Sequence, residues 1–472
     1  MTRRSHVRGA EMTTFSLLTS LRTIVGKAPD FGRYRPLDTL EEDEFPIGER
    51  LSGVNREPFS LCVIGDTQRR TLVVGDIHGM FDYFQCVKFL SLIPILLNPF
   101  RKLLDEVQYN PAVDVLIHAG DLSAKGPLHG SIGVIDYMAQ HNITGVRGNH
   151  DQKVIEWRVW TDWVQTLPGG KNWLEDLERR YHDAEGKGLL SNPRTIKQWV
   201  KAARKNAKKD DKKYWKLIPE GWKILTDHYF VARGLSKESF EYLSELPLKL
   251  YIPSAHAYVA HAGLLPFDPH YPADDKDHQP LAHLPKVPLG RDGKPEGRHQ
   301  PEVFSNQAEA PLGGGVIQPD DLRYLQEVAL ITSIPQNLDP WVVLNMRSIL
   351  KSGDVTRDGK TGAPWSDLWK RAMTSCAGFQ DELGVNAEDK PYKFSPKKSL
   401  RLPCYPASVI YGHAASRGLD LKRWSLGLDS ACVCLFISFF STAYAFIGQG
   451  RPIDGPCNRG GRQPVLAYCP EC

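Results

Sequence analysis

The chain lacks three things that would place it in a class at once. It has no apolar run of the roughly 18–20 residues that a membrane-spanning helix needs. The nearest candidates are Phe15–Val25, interrupted by Ser16, Thr19, Ser20, Arg22 and Thr23, and Val433–Ile447, which stops after 15 residues. With Arg3, Arg4 and Arg8 ahead of it, the first reads as a lead-in rather than a targeting signal. Neither sign of charge dominates. Lys and Arg number 59 against 55 Asp and Glu, a formal +4, so a site for a polyanion must come from a local patch. Cysteine is sparse: nine are scattered, with Cys62, Cys86, Cys376 and Cys404 far apart. That pattern excludes a dense disulfide framework and suits a reducing compartment. Cys432-x-Cys434 with Cys469-x2-Cys472 is too irregular for a zinc knuckle.

What the chain has is length and punctuated strands. At 472 residues it exceeds what one core usually organises, although one large α/β domain with insertions fits. Residues 1–58 are polar, Pro/Gly-rich and acidic at Glu41–Glu44, and read as a flexible lead-in. A buried strand is expected over Thr71–Val74, followed by a helix over Phe81–Leu97. Further strands are expected over Val113–His118, Ile143–Val146, Ala257–Ala260 and Ala407–Tyr411, with a helix over Ser131–Gln140. Gly427-Leu428-Asp429-Ser430 is expected to begin a last strand, and 434–472 reads as a divergent tail. Asn142-Ile143-Thr144 has the glycosylation pattern but enters a strand expected to be buried, and Gly65-Asp66 reads as a turn.

The strand ends carry the chemistry. Asp76 and His78, Asp121, Asn149 and His150, His261, and His413 each follow an apolar strand, most of them beside a glycine. In open α/β sheets ligands gather at the carboxyl ends of strands. Carboxylate, amide and imidazole donors meeting there suit two divalent ions, which together activate water and clamp an in-line phosphoryl displacement. A bridging carboxylate is needed, and Asp121 in the middle strand is the natural choice. Asn149 adds an oxygen without adding charge, and His150 is placed to protonate a leaving oxygen.

Gly75-Asp76-Ile77-His78-Gly79, Gly120-Asp121 with Lys125-Gly126-Pro127, Gly148-Asn149-His150-Asp151, His261-Ala262-Gly263 and Gly412-His413 resemble the ordered motifs of calcineurin-like metallophosphoesterases. Within that superfamily the chain resembles the ApaH-like phosphatases, a likeness that Asp339-Pro340-Trp341, Leu344–Arg347 and Pro364–Trp369 share. The resemblance implies an αββα sandwich, two β-sheets flanked by helices, with a catalytic domain over 59–433. It implies that Asp76, His78 and Asp121 hold one ion and Asp121, Asn149, His261 and His413 the other, zinc or manganese. His150 would be the proton donor, and Arg147, Lys125 and Arg347 would hold substrate phosphates. Ala124 departs from the Ser/Thr protein phosphatases, which have there the aspartate that pairs with the catalytic histidine.

The substrates known in that group are phosphoanhydrides: inorganic polyphosphate, dinucleoside polyphosphates of the Ap4A type, and mRNA caps. Between about Trp157 and Tyr229 lies an expected helical insertion, rich in tryptophan. In it Lys197, Lys201, Arg204, Lys205, Lys208, Lys209, Lys212, Lys213 and Lys216 recur at a spacing that makes one stripe on a helix. Either this is a solvated face or it contacts a polyanion. On that stripe the favoured expectation is an endopolyphosphatase working through a hydroxide activated by two metals. The alternatives are Ap4A hydrolysis or decapping, with the tryptophans as a stacking platform, protein dephosphorylation, and a non-catalytic polyanion-binding scaffold. A Pro/Gly/His-rich loop over about 267–320 completes the reading. The compartment is expected to be cytoplasmic or vacuolar, and no oligomeric state is implied.

Overall fold

The computed structural model describes residues 70–80, 99–252, 255–285, 319–379, 400–429, 445–448 and 465–467. The lead-in 1–58, the expected helix Phe81–Leu97 and the Cys432 to Cys472 pattern lie outside them. The chain divides into two compact units, one containing Val154–Arg233 and one built from the segments on either side.

The larger unit holds two five-stranded sheets. In the first, β1 (Arg70–Val74) lies parallel to β2 (Asp114–His118), and β2 is parallel to β3 (Thr144–Gly145). The second contains β4 (Lys249–Ile252), β5 (Ala257–Ala260) and three later strands, β9 (Ser408–Tyr411), β10 (Asp420–Lys422) and β11 (Ser425–Gly427). Its order is β10-β11-β9-β5-β4. Three short strands, β6 (Ser348–Ile349), β7 (Val355–Thr356) and β8 (Ala363–Pro364), form a third sheet. The first sheet is completed by β12 (Ala445–Gly448), antiparallel to β1, and β13 (Val465–Ala467). The end of the apolar Val433–Ile447 run thus supplies a strand next to β1.

Alternation along the strands explains how the sheets meet. Val73 and Ile117 of the first sheet share one core with Val259 and Ile410 of the second, joined by Leu428. The intervening residues Tyr258, Ala260, Val409 and Tyr411 face the other way, into a core with Trp365, Trp369 and Leu330. Period-two side chains on two facing sheets give this layering directly. Helix Trp365–Ser375 covers that outer face through Trp365, Leu368, Trp369 and Ala372. The parallel strands β1, β2 and β3 share one direction, and β5 and β9 are parallel to each other, so within each sheet these carboxyl ends gather at one edge.

Several expectations need correction. The strand expected to begin at Gly427 ends there instead, as β11, leaving Leu428 and Asp429 beyond it, and β12 and β13 follow later in the chain. Cys376 and Cys404 are not isolated: they form a disulfide, with Cα atoms 4.7 Å apart. Distance along the chain hid a pairing that the fold creates, because Cys376 ends helix Trp365–Ser375 and Cys404 precedes β9.

The smaller unit is helical and aromatic. Trp157, Trp160, Trp173 and Trp215 are buried, and T-shaped contacts link Trp157 with Trp160 and Trp173 with Trp215. Those four indoles are core and are closed to a base, whereas Trp163, Trp199 and Trp222 are half-buried. The lysine stripe is also not one helix. It divides between helices Pro193–Lys205 and Lys212–Leu217, because the first ends at Asn206. The lysines are exposed on both. The first helix begins with a capping box, Asn192 accepting from Arg194 and Thr195 N–H groups.

Candidate metal centre

Five chain segments of the larger unit deliver the site. Asp76 and His78 follow β1, Asp121 follows β2, Asn149 and His150 open helix Asn149–Thr166, His261 follows β5, and His413 follows β9. The turns are tight. His78, Asp121 and His413 all have left-handed backbones, at φ 48°, 52° and 65°. Glycines allow the close approach: a Cβ on Gly412 would lie 1.8 Å from Asp76 Oδ1, and one on Gly148 would lie 2.1 Å from Asp121 Oδ1.

Asp121 stands in the middle. Its Oδ2 lies 3.7 Å from His78 Nε2 on one side and 3.4 Å from His261 Nε2 on the other. Its Oδ1 accepts the His150 backbone N–H at 2.8 Å. Asp76 Oδ2 is 3.7 Å from His78 Nε2, and both Asp76 oxygens receive the His413 backbone N–H, at 3.1 and 3.2 Å. Asn149 Oδ1 faces two imidazoles, His261 Nε2 at 3.1 Å and His413 Nδ1 at 2.9 Å. Ligand atoms of Asp76, Asp121 and His261 all fall within 4.8 Å of one another.

The imidazoles test whether this donor set fits an ion. Each ties one nitrogen to a backbone carbonyl: His78 Nδ1 to Ser123, His261 Nδ1 to Ala119, and His413 Nε2 to Asn345. Carbonyls only accept, so those nitrogens donate, and the remaining nitrogen of each ring faces the oxygens of Asp76, Asp121 or Asn149. That arrangement fixes the tautomer and orientation of metal-binding histidines. The donor set fits divalent ions on both sides of Asp121, with nitrogen and oxygen donors that suit zinc or manganese.

Charge is arranged to match. Burial, then the neighbouring Asp429 and Asp121 carboxylates, push the Asp76 carboxyl well above its ordinary range. For Asp121 burial acts in the same direction, but His261 and His150 outweigh it and hold the group well below that range. Burial lowers His78 and, with His261 and Arg347, takes His413 well down. Burial would lower His261 too, yet Asp121 raises it. Protons therefore compete with an ion more strongly at Asp76 and His261 than at His78 and His413. At a fixed concentration about one hundred times its dissociation constant at pH ~7.5, Mn²⁺ should stabilise the chain by about 2.7 kcal/mol at that pH. Because protons compete for Asp76 and His261, the rise in unfolding midpoint should be larger near pH ~7.5 than near pH ~5.5. Thermal unfolding with and without Mn²⁺ at both values tests this, and an equal or reversed rise contradicts it.

The residues expected to hold substrate separate. Arg347 lies at the site, its Nη2 donating to the His413 carbonyl at 3.1 Å while its buried Nε has no hydrogen-bond partner among the described residues. Lys125 is exposed, with Nζ 3.2 Å from His78 Nε2. Arg147 is 1% exposed, and its guanidinium donates to Gln152 Oε1 at 2.9 Å and the Ser244 carbonyl at 2.5 Å, so it braces the turn from inside. His150 is half-buried, its ring edge-on to His78 with centroids 5.2 Å apart. Two contributors were missed. Asp151 joins the turns, accepting from Ser123 Oγ and the Gly148 N–H. Asp429 hydrogen-bonds Asp76. A polar residue just past a strand and its glycine was the signal that would have found Asp429.

Comparison with known proteins agrees with this geometry. Residues 69–261 match the calcineurin-like phosphoesterase model, and this part of the chain is a calcineurin-like phosphoesterase domain. The chain is 31% identical over 122 residues to serine/threonine-protein phosphatase 1 of Salmonella typhimurium, covering 26% of this chain and 48% of that protein. It is 30% identical over 109 residues to serine/threonine-protein phosphatase 2 of Escherichia coli, covering 23% and 42%. Symmetrical bis(5'-nucleosyl)-tetraphosphatase of Shigella dysenteriae is 26% identical over 156 residues, covering 30% and 48%. The chain spans about half the length of these curated relatives, or less. Among the described residues no helix is long and apolar enough to cross a membrane.

Proposed function

We propose that this chain is a metal-dependent hydrolase of phosphoanhydride bonds. The observation that carries this reading is Asp121, set between His78 and His261 where the ends of two sheets meet. Asp76, His78 and Asp121 would hold one divalent ion, and Asp121, Asn149, His261 and His413 the other. When bound, the ions supply Lewis acidity and acidify water for attack on phosphorus. The protein's own part is to fix these donors, to exclude bulk water through burial, and to deliver a proton from His150 to the leaving oxygen. Arg347 and Lys125 would orient substrate oxygens by charge-assisted hydrogen bonds.

For the substrate we favour inorganic polyphosphate. The support is the exposed lysines of helices Pro193–Lys205 and Lys212–Leu217, a surface suited to a long polyanion. A second reading, a dinucleoside tetraphosphate, draws on the similarity to the Shigella enzyme and on Trp341. That residue is 44% exposed, and it is the only exposed tryptophan among the described residues. It lies in the short helix Pro340–Asn345, whose last residue donates from its side chain to the Trp341 carbonyl and meets His413 through its own carbonyl. An indole there is available to stack on a base, which is worth about 1–3 kcal/mol per base.

The full chain should be offered long-chain polyphosphate, diadenosine tetraphosphate, capped RNA and a phosphopeptide, with Mn²⁺ or Zn²⁺. Polyphosphate products of intermediate length support endo-cleavage, and exclusive turnover of the phosphopeptide overturns the anhydride reading. Bound metal without turnover of any substrate leaves a scaffold. Trp341→Ala separates the first two substrates. Under the nucleotide reading KM for diadenosine tetraphosphate rises roughly tenfold, about 1.4 kcal/mol of lost stacking, while polyphosphate cleavage is unchanged. An unchanged KM for both removes Trp341 from substrate binding.

A further inference from the structure

One buried carboxylate at the centre has no place in the ligand set. Asp429 is 7% exposed and lies two residues past β11. Its position is imposed by the fold. Leu428 donates its N–H to the Tyr411 carbonyl at 2.8 Å, and its side chain fills the core between the sheets. Gly75 lets the two strand ends come together, since a Cβ there would lie 2.6 Å from the Leu428 carbonyl. This contact sets Asp429 against Asp76, to which its side chain is hydrogen-bonded, and its charge also reaches His78.

We propose that Asp429 is a positioning residue of the metal centre, acting on the ion that Asp76, His78 and Asp121 would hold. The proposal rests on the reading of the site as a two-ion centre. Asp76 is clamped from two sides, by the His413 N–H and by Asp429, so its carboxylate is oriented before an ion arrives. A hydrogen bond between two carboxyl groups needs a proton between them in the metal-free chain, and a divalent cation would take that proton's place. With the ions bound, Asp429 would both aim Asp76 and add a third negative charge, after Asp76 and Asp121, to balance two dications. Partners of this kind are typically worth about 10–100-fold in metal affinity.

The test is calorimetric titration of Mn²⁺ into the metal-stripped full chain, with electron paramagnetic resonance to detect a coupled Mn²⁺ pair. Wild type should bind two ions and show the pair. Asp429→Asn keeps the shape and removes the charge. It should bind one ion as wild type does and the other about 10–100-fold more weakly, losing the pair signal at sub-saturating Mn²⁺. Its metal-free unfolding midpoint should not fall, because a buried acid has been neutralised. Two equally tight ions in Asp429→Asn overturn the role of Asp429 alone. A wild-type chain that binds fewer than two ions overturns this role together with the two-ion reading. If Asp429→Asn and Asp429→Ser both fail to fold without metal, Asp429 is a structural residue and the proposal falls.

Discussion

Asp121→Asn is expected to lower turnover by at least about a thousandfold, while the metal-free chain still folds. The size follows from what the carboxylate is asked to do. It faces both halves of the centre, with His78 on one side and His261 on the other. A single substitution therefore weakens both ion positions. Lewis-acid stabilisation is worth several kcal/mol, and about 4 kcal/mol at 1.36 kcal/mol per decade is about a thousandfold. Folding should survive because Asn can still accept the His150 N–H that Asp121 Oδ1 now receives. Steady-state kinetics with metal analysis would check both halves. Near-normal turnover in a variant that has lost an ion would remove Asp121 from the mechanism.

His150→Gln should lower kcat by about 10²–10⁴, the usual worth of general acid catalysis, with metal content unchanged. Two signatures separate this from misplacement of Asp121, which the His150 backbone supports. The backbone N–H survives the substitution, so ion affinity should hold. An acid must be protonated to act, so the wild-type rate should decline on the alkaline side, and the variant should lose that limb. The deficit should also shrink for an activated aryl phosphate, whose leaving group needs no proton. A deficit equal for all leaving groups, with the alkaline limb intact, rules out proton donation by His150. No aspartate supports the ring from position 124, where Ala124 is fully buried.

Much of the site was legible in the chain, for a physical reason. A buried parallel strand needs a short apolar run, and leaving the sheet needs a glycine. Apolar interiors followed by a glycine and a polar residue mark β1, β2 and β9 alike, as Leu72–Val74, Leu116–Ile117 and Val409–Ile410 illustrate. What sequence could not supply was partnership across the fold. The resemblance implies a phosphate ligand at Arg147, but only the fold shows that the segment from Ser244 to Pro247 accepts from its guanidinium and its N–H. Asp429 was hidden because the apolar residues around it invited a strand where one had just ended. The lysine spacing from 197 to 216 suited one helix, but it contained no information on the interruption after Lys205. Cys376 and Cys404 meet only because the segments flanking helix Trp365–Ser375 and β9 are brought side by side.

The left-handed backbones of His78, Asp121 and His413 have a consequence for how this chain can be improved. A residue with a side chain costs roughly 1–2 kcal/mol in that conformation, where glycine does not. Three such positions, all with donor side chains, place several kcal/mol of conformational strain inside one small centre. A selection for heat resistance alone, run without divalent ions, would therefore reward glycine at three positions of the candidate metal centre. Thermal robustness and the proposed ion binding would be opposed here residue by residue. Any stabilised variant of this scaffold has to be screened with metal present, so that ion binding counts in favour of the strained side chains.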